Sequence, residues 1–207
     1  MIGRAGLIVI GLGNPGLRYR DTRHNVGFWF VDYLAHQWDF PIFQHEEDLL
    51  LSDRKFRGRE VLLAKPVTYM NRSGAALASL ACHLEFERGD LLVCHDDIDI
   101  PVGRFKLKAS GGAGGHKGVI SILEYLGGED VMRLRFGILP EIKPADLEAF
   151  VLSPFEEGEE KAVLDLFPRA RDAVACLLDE GIEKAMSLYN RNHSDPDGGA
   201  AGDAELD

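Results

Sequence analysis

Short apolar runs alternate with longer amphipathic stretches along the chain. Runs of four apolar residues at 7–10, 61–64 and 91–94 end at a glycine, at Lys-Pro or at a polar cluster, which is typical of buried β-strands. Stretches in which apolar residues recur every three or four positions predict helices. The pattern predicts strands at 7–10, 60–66, 91–94, 104–108 and 133–138, and one short strand in the charged connection at 39–60. Polar and apolar residues alternate at 104–108, which predicts an exposed strand. Helices are predicted at 26–38, 116–126, 144–152, 155–178 and 182–189, with a further helix ending near 83.

The order of these elements predicts the fold class. Strands that alternate with helices form α/β proteins in which helices cover both faces of the sheet. We therefore expect a single domain built on one mixed, twisted β-sheet, and a chain of 207 residues is long enough for one substantial core. The domain is predicted to span residues 1–191. Residues 192–207 are small, polar and acidic, a composition that predicts a disordered tail.

For the question of a nucleic-acid partner, the distribution of charge along the chain is more informative than the net charge. A net charge of −11 at first argues against a nucleic-acid partner, but much of it lies in the tail and in an acidic run at 156–160. The segment 103–123, by contrast, contains Arg104, Lys106, Lys108 and Lys117 and no acidic residue. Because phosphate binding depends on local basic charge, the composition leaves a nucleic-acid partner open.

The sequence predicts neither a membrane span nor a disulfide framework. It has no apolar run long enough to cross a bilayer, and the run at 7–10 is too short for a signal peptide. The cysteines at 82, 94 and 176 lie far apart in apolar surroundings and form no C-x-x-C motif. We therefore expect buried, reduced thiols in a cytoplasmic protein that has no membrane partner.

A glycine-rich loop follows the first predicted strand. Gly11, Gly13 and Gly16 match the G-x-G-x-x-G pattern of dinucleotide-binding folds. In those folds a helix begins at the third glycine and its amides bind a pyrophosphate, but residues 17–23 have no helical apolar period. The acidic residue expected about 20 positions later would be Asp32, which falls inside the first predicted helix. This context argues against a dinucleotide site.

Polar side chains cluster in four segments that follow predicted strands. The segments contain Asn14, Tyr19 and His24; Asn71; His95, Asp96, Asp97 and Asp99; and His116 and Lys117. The carboxyl ends of the strands in an open α/β sheet form the edge at which ligands bind. The four segments therefore predict one site at that edge.

Within this site, His24 and Asp96 predict a catalytic pair. A single histidine in a loop is more often a structural residue than a base, but a carboxylate at the end of a buried strand can orient an imidazole and raise its basicity. No serine or cysteine accompanies the pair, so the predicted nucleophile is an activated water. Asn14 and Asn71 could grip a carbonyl or an amide, although as capping residues they would be ordinary.

The acidic segment admits a second interpretation, a cation site. Hard cations require several oxygen ligands at once. Asp96, Asp97 and Asp99 would point to different faces of a strand, and no glycine supplies the turn of a calcium-binding loop. The sequence therefore favours a site that uses neither a metal nor another cofactor.

Four motifs occur in a fixed order along the chain. They are Asn14-Pro15-Gly16…Tyr19…Thr22-Arg23-His24-Asn25; Lys65-Pro66…Tyr69-Met70-Asn71…Ser73-Gly74; His95-Asp96-Asp97…Asp99-Ile100-Pro101…Gly103; and Lys106-Leu107-Lys108 followed by 111–118. In this order they resemble bacterial peptidyl-tRNA hydrolase over roughly residues 7–190. The resemblance implies a monomeric, cytoplasmic esterase without a cofactor. Its substrate would be peptidyl-tRNA, bound by the acceptor stem and the 3′ end.

Residue roles follow from the same resemblance. His24 matches the general base of the family and Asp96 its carboxylate partner, and Asn14 and Asn71 match asparagines that position the peptide and the water. Tyr19 matches an aromatic residue near the 3′ end of the tRNA. Tyr69 and Lys117 are also assigned to substrate binding. Lys108 and Arg135 match a basic pair that binds the 5′ phosphate of the tRNA, and Lys106 is assigned to the same patch because it lies two residues before Lys108 on the predicted strand.

The chain departs from the family pattern in the glycine-rich segment before the third helix. Lys117 stands where asparagine is usual, and Ala113 where histidine is common. The lysine would introduce a cation beside the reacting ester. Some proteins of this fold, in plant organelles, are RNA-splicing cofactors, so an RNA-binding module is the alternative function. The presence of His24 and Asp96, and the lack of a transit peptide before Ile8, favour the hydrolase.

Overall fold

One β-sheet organises the structure, a computed structural model that describes residues 6–140, 142 and 144–191. The predicted tail at 192–207 lies outside the described residues. The sheet has seven strands in the order β2-β3-β4-β1-β5-β7-β6. The strands are β1 (Leu7–Gly11), β2 (Gln44–Glu46), β3 (Leu49–Phe56), β4 (Arg59–Pro66), β5 (Leu91–Pro101), β6 (Phe105–Lys108) and β7 (Met132–Leu139).

The sheet is mixed, as the sequence predicts. β4, β1, β5 and β7 run parallel to one another, whereas β2, β3 and β6 lie outside them and pair antiparallel with their neighbours. All five residues of β1 are buried, which is expected of a parallel strand that is covered on both faces. β6 is an edge strand in which buried and exposed residues alternate, as predicted from its sequence.

Helices cover both faces of the sheet, which confirms the predicted fold class. The helices are α1 (Val26–Gln37), α2 (Ser73–His83), α3 (Lys117–Leu126), α4 (Leu147–Val151), α5 (Glu157–Leu164), α6 (Phe167–Glu180) and α7 (Ile182–Tyr189). One core lies under α1 and α6 and includes Phe30, Phe136 and Phe167, and the other lies under α2 and α3 and includes Ile10 and Leu77. Within the described ranges, none of these helices has the length and hydropathy that a membrane span requires.

The largest difference from the predicted elements concerns β5. The prediction ended this strand at Cys94, but it continues to Pro101 because its pairing with β7 persists through Asp97 and resumes at Pro101 after a shift in register. The polar residues at 95–99 therefore lie on a strand and not in a loop after it. In the same way, the connection at 39–60 contains two strands, β2 and β3, where one was expected.

Two predicted helices are shorter than expected. The helix predicted at 155–178 is two helices, α5 and α6, with Pro168 in the first turn of α6; proline can begin a helix but cannot continue one. α4 begins only at Leu147, after Asp146 caps it by accepting a hydrogen bond from the backbone N–H of Ala149.

The expectation of buried thiols was wrong for Cys82, which is exposed on α2, and right for Cys94 and Cys176.

The first helix lies unusually close to the centre of the sheet. A Cβ atom on Gly27 would lie 2.3 Å from the carbonyl oxygen of Cys94, and one on Gly11 would lie 2.3 Å from the carbonyl oxygen of Gly27. Only glycine permits this approach at either position. The contact draws the loop that precedes α1 toward β5, and that loop carries His24.

We expect Gly27→Ala to destabilise the fold by about 1–3 kcal/mol, because a methyl group would press on backbone atoms that have no room to move. Urea denaturation should show a lower midpoint with an unchanged slope. The matched control is Gly158→Ala in α5, where nothing lies within 4 Å of the added Cβ. That variant should be neutral or slightly more stable, and equal losses in both variants would contradict the packing argument.

Candidate active site

A cavity of about 500 Å³ opens at the carboxyl edge of the sheet. α1 follows β1 on one face and α2 follows β4 on the other, so the loops that leave these strands diverge and create a crevice between them. The glycine-rich segment before α3 and the residues of α4 form the remaining walls. All the residues that the sequence assigned to catalysis or substrate binding line the cavity: Asn14, Tyr19, His24, Tyr69, Asn71, Asp96 and Lys117.

The carboxylate of Asp96 contacts two histidines. Its Oδ1 atom lies 2.8 Å from Nδ1 of His24 and 2.9 Å from Nε2 of His116. Asp96 is 2% exposed and His24 is 8% exposed, so little water competes for these hydrogen bonds. The structure thus brings the predicted pair together and adds a third group to it.

The third group, His116, belongs to one of the four segments that predict the site, but the sequence assigned it no role in catalysis or binding. It is the N-cap of α3, and its Nδ1 accepts hydrogen bonds from the backbone N–H groups of Gly118 and Val119, at 3.2 and 3.3 Å. The signal that could have identified it is its position directly before a helix and after a glycine-rich loop, where a side chain that accepts hydrogen bonds is favoured.

These contacts select one tautomer for each ring. Because Nδ1 of His116 accepts, the proton of the neutral ring is on Nε2, which donates to Asp96. Nδ1 of His24 faces the same carboxylate and donates to it, which leaves Nε2 of His24 with a lone pair. A neutral His24 is therefore arranged to accept a proton from a molecule in the cavity.

The environment keeps Asp96 ionised. Burial by itself would raise the pKa of this carboxyl group, but the adjacent His24 and His116 outweigh burial and hold the pKa well below its usual range. His95, which is 2% exposed, packs edge-on against His116 with 4.7 Å between ring centroids. Burial, followed by the influence of His116, lowers the pKa of His95, so this ring stays neutral.

Three of these side chains are close enough together to hold a metal ion. One ligand atom each from His24, Asp96 and His116 lies within 4.8 Å of the others. To bind a metal through Nε2, however, a histidine normally donates a hydrogen bond from Nδ1, and Nδ1 of His116 instead accepts from two amides. This donor set fits a proton network better than a metal site. Asp97, another residue of the alternative cation site, forms an ion pair with Arg135.

Asn14 is held in one orientation by its neighbours. Its Oδ1 accepts a hydrogen bond from the backbone N–H of Met70 at 2.9 Å, and its own backbone N–H and C=O both bond to the side chain of Asn25. Because Oδ1 is occupied, the amide group of Asn14 offers its N–H donors to the cavity. The loop after β1 and the loop after β4 are joined by this one side chain.

Lys117 lines the cavity but is paired with a residue that the sequence did not indicate. Its Nζ lies 3.0 Å from a carboxylate oxygen of Glu148 on α4, and both side chains are more than half exposed. The ammonium group therefore bridges two walls at the rim of the cavity. The sequence could not have predicted the pair, because α3 and α4 are separated by β7 along the chain.

The basic residues assigned to a tRNA phosphate lie outside the cavity, on the β6–β7 edge of the sheet. Lys106 is opposite Arg135 and Lys108 is opposite Arg133, so all four side chains leave the same face. Lys106 and Lys108 are exposed, whereas Arg133 is 2% exposed and donates to the carbonyl oxygen of Gly112. Nε of Arg135 lies 2.6 Å from Asp97, a cavity residue, and the basic edge therefore adjoins the cavity.

Comparison with known proteins agrees with this geometry. The sequence model of the family described as Peptidyl-tRNA hydrolase matches residues 8–197. A peptidyl-tRNA hydrolase of Thermodesulfovibrio yellowstonii is 37% identical over 187 residues, which cover 89% of this chain and 99% of that protein. The corresponding protein of Desulforudis audaxviator is 42% identical over 183 residues, with coverage of 88% and 92%.

The fold leads to the same family. The crystal structure of peptidyl-tRNA hydrolase from Acinetobacter baumannii matches this structure with a TM-score of 0.83 at 31% sequence identity, over 92% of this chain and 97% of that one. Each of these matches spans most of both chains, and the residues that the family model matches include all those that line the cavity. From its sequence, its mixed sheet and its cavity, this chain belongs to the peptidyl-tRNA hydrolase family.

Proposed function

We propose that this protein hydrolyses the ester bond that joins an N-blocked peptide to the 3′ end of tRNA, and so returns tRNA from abortive translation. The names of its relatives supply the substrate class. The observation that carries the chemistry is the buried hydrogen bond between His24 and Asp96 in the cavity. This hydrogen bond leaves Nε2 of His24 with a free lone pair and places the anion of Asp96 at the other nitrogen of the ring.

In the proposed reaction, Nε2 of His24 takes a proton from a water molecule as the water oxygen attacks the ester carbonyl carbon. Asp96 stabilises the imidazolium that forms, and an N–H of Asn14 stabilises the negative charge that develops on the carbonyl oxygen. The bond from carbon to the ribose 3′ oxygen then breaks, and His24 returns its proton to that oxygen. The products are a peptide with a free carboxylate and a tRNA with a free hydroxyl.

The proposal makes His24 the residue on which turnover depends. We expect His24→Ala to reduce kcat on N-acetyl-aminoacyl-tRNA by roughly 10²–10⁴-fold, the usual contribution of a general base, while the Kd for uncleaved substrate changes little. His36→Ala is the control, because His36 is exposed on α1 and does not line the cavity. A parallel loss of binding and turnover in His24→Ala would instead mean that His24 is structural.

The role of Asp96 has its own signature in the dependence of rate on pH. An adjacent anion favours a protonated imidazole, so its removal in Asp96→Asn should move the acid limb of the kcat/KM profile to lower pH. The plateau should fall at the same time, because the neutral amide of this variant would no longer stabilise the imidazolium. We would measure both between pH 4 and 9 at constant ionic strength. An unmoved acid limb with a normal plateau would exclude the pairing.

We further propose that Lys106, Lys108 and Arg135 bind the 5′ phosphate of the tRNA acceptor stem, with Tyr19, Tyr69, Asn71 and Lys117 around the 3′ end and the peptide. The common face of the three basic residues and their position beside the cavity support this assignment. Their local charge would act despite the net charge of −11, because phosphate contacts depend on nearby cations. An acidic protein with such an edge should bind tRNA in a strongly salt-dependent way.

Removal of the 5′ phosphate from the substrate tests the basic edge. Dephosphorylation should raise KM for the wild type with little change in kcat, and should have almost no effect on the Lys108→Ala, Arg135→Ala double variant. A short peptidyl-adenosine substrate, which lacks the acceptor stem, should be cleaved equally by both proteins. If dephosphorylation affects both proteins equally, other residues bind that phosphate.

The cellular context is proposed on the resemblance to the family. We propose that the protein acts as a monomer in the cytoplasm and that residues 1–191 form the catalytic domain, with the acidic segment at 192–207 outside it. The alternative, an RNA-binding module without activity, would leave the arrangement of His24, Asp96 and Asn14 without a use. Release of free tRNA from N-acetyl-aminoacyl-tRNA by the wild type separates the two functions.

A further inference from the structure

The helix α4 forms a wall of the cavity, but none of its side chains is fully buried. Leu147, Glu148 and Val151 from this helix, and Leu152 directly after it, line the cavity. The helix has five residues, and none of them is buried. Helices this short are not stable by themselves, so the position of this wall must be set by contacts from other parts of the chain.

Phe150 and Val151 pack against the core that lies under α1 and α6, and a set of polar contacts comes from one side chain, that of Arg23. Its Nη1 donates to the hydroxyl oxygen of Ser153 at 2.6 Å, to the carbonyl oxygen of Ser153 at 3.3 Å and to the carbonyl oxygen of Pro154. Its Nη2 forms an ion pair with Glu159. The guanidinium group also stacks on the ring of Phe150 in α4, with 4.1 Å to the ring centroid. Arg23 is 4% exposed, so these interactions are protected from water.

The backbone reinforces the side chain. The N–H of Arg23 donates to the carbonyl oxygen of Ser153 at 3.1 Å, and Thr22 forms an isolated antiparallel bridge with Pro154. The hydroxyl of Ser153 in turn donates to the carbonyl oxygen of Phe150 at 2.7 Å. The last turn of α4 is therefore attached to the turn that contains His24.

The other end of α4 is held more weakly. There the connection across the cavity is the ion pair between Lys117 and Glu148, whose side chains are 57% and 70% exposed. Exposed ion pairs of this kind contribute little to stability, because water and salt screen them. Buried, charge-assisted hydrogen bonds are about twice as strong as neutral ones, and Arg23 makes several. Arg23 is thus the main polar anchor of the wall, beside the apolar packing of Phe150 and Val151.

We propose that Arg23 is a positioning residue that sets the distance between α4 and His24, and thereby determines how tightly the cavity holds the side chain of the amino acid esterified to the tRNA. Arg23 directly precedes His24, the proposed base, in the sequence, and its guanidinium contacts Phe150 in α4 and Ser153 just after that helix. Leu147, Val151 and Leu152 give that wall an apolar surface. The inference rests on the function proposed above, because that function places an aminoacyl ester beside His24.

The expected consequence is a preference for bulky side chains that depends on Arg23. The wild type should cleave N-acetyl-phenylalanyl-tRNA with a kcat/KM about tenfold or more above that of N-acetyl-glycyl-tRNA, since apolar pockets discriminate by roughly 10–200-fold. In Arg23→Lys, the charge remains but the planar fork is lost. The phenylalanyl substrate should then lose most of this advantage through a higher KM, while the glycyl substrate is almost unaffected.

Two further variants separate positioning from stability. Lys65→Met is the matched control, because Lys65 is also a buried cation that pairs with a carboxylate, that of Asp32, and lies against two aromatic rings, but it does not line the cavity. It should lower the unfolding midpoint without changing the ratio of kcat/KM values. Glu159→Gln removes the ion pair and leaves the contacts of Arg23 with Ser153 and Pro154, so the ratio should persist.

The outcomes distinguish this inference from the proposed function. A wild type that cleaves neither substrate would contradict the function itself. A wild type that cleaves both substrates equally well, or an Arg23→Lys variant that loses activity on both by one factor, as a smaller folded fraction would produce, would overturn the positioning role. A ratio that collapses in Arg23→Lys and persists in Lys65→Met and Glu159→Gln would support it.

Discussion

The buried carboxylate of Asp96 is the constraint on which the candidate active site depends. A charge that is removed from water is costly unless it is paired and hydrogen-bonded, and Asp96 meets this requirement with one N–H from His24 and one from His116. His116 can donate only because its other nitrogen accepts from the first amides of α3. The need to satisfy one anion thus links β5, the loop before α1 and the N-terminus of α3.

The alternation of side chains along β5 gives neighbouring residues different roles. Asp96 faces the histidines, whereas Asp97 faces the basic edge and binds Arg135. Successive residues of a strand point to opposite faces, so these two carboxylates do not converge on one cation. The sequence had indicated that they would point to different faces. Adjacent residues of one strand therefore contact the proposed base, His24, and the basic edge, through Arg135.

The loop before α1 makes three separate contacts with the rest of the fold. Asn14 joins it to the loop after β4, Arg23 joins it to α4, and His24 contacts Asp96. The close contact of Gly27 with β5 brings this loop against the sheet. A site built in this way is held from several directions, which is the condition for a base to keep its geometry while a large substrate binds.

Much of the architecture could be predicted from the sequence. Apolar periodicity, proline and glycine are local signals, and they indicated the alternating strands and helices, the two covered faces and the edge at which the site lies. The four ordered motifs also indicated His24, Asp96 and Asn14, which the structure brings to one cavity. Local signals failed where pairing with a distant strand prolonged β5 beyond Cys94.

The sequence by itself therefore determined which elements form and which polar residues follow the strands, because both depend on neighbours within a few positions. Only the tertiary structure decided which of these residues meet. His116 shares Asp96 across 20 positions, and Arg23 reaches Ser153 across 130. Lys117 is paired with Glu148 on another helix. Such contacts arise when packed elements bring distant parts of the chain together, and no periodicity along the sequence records them.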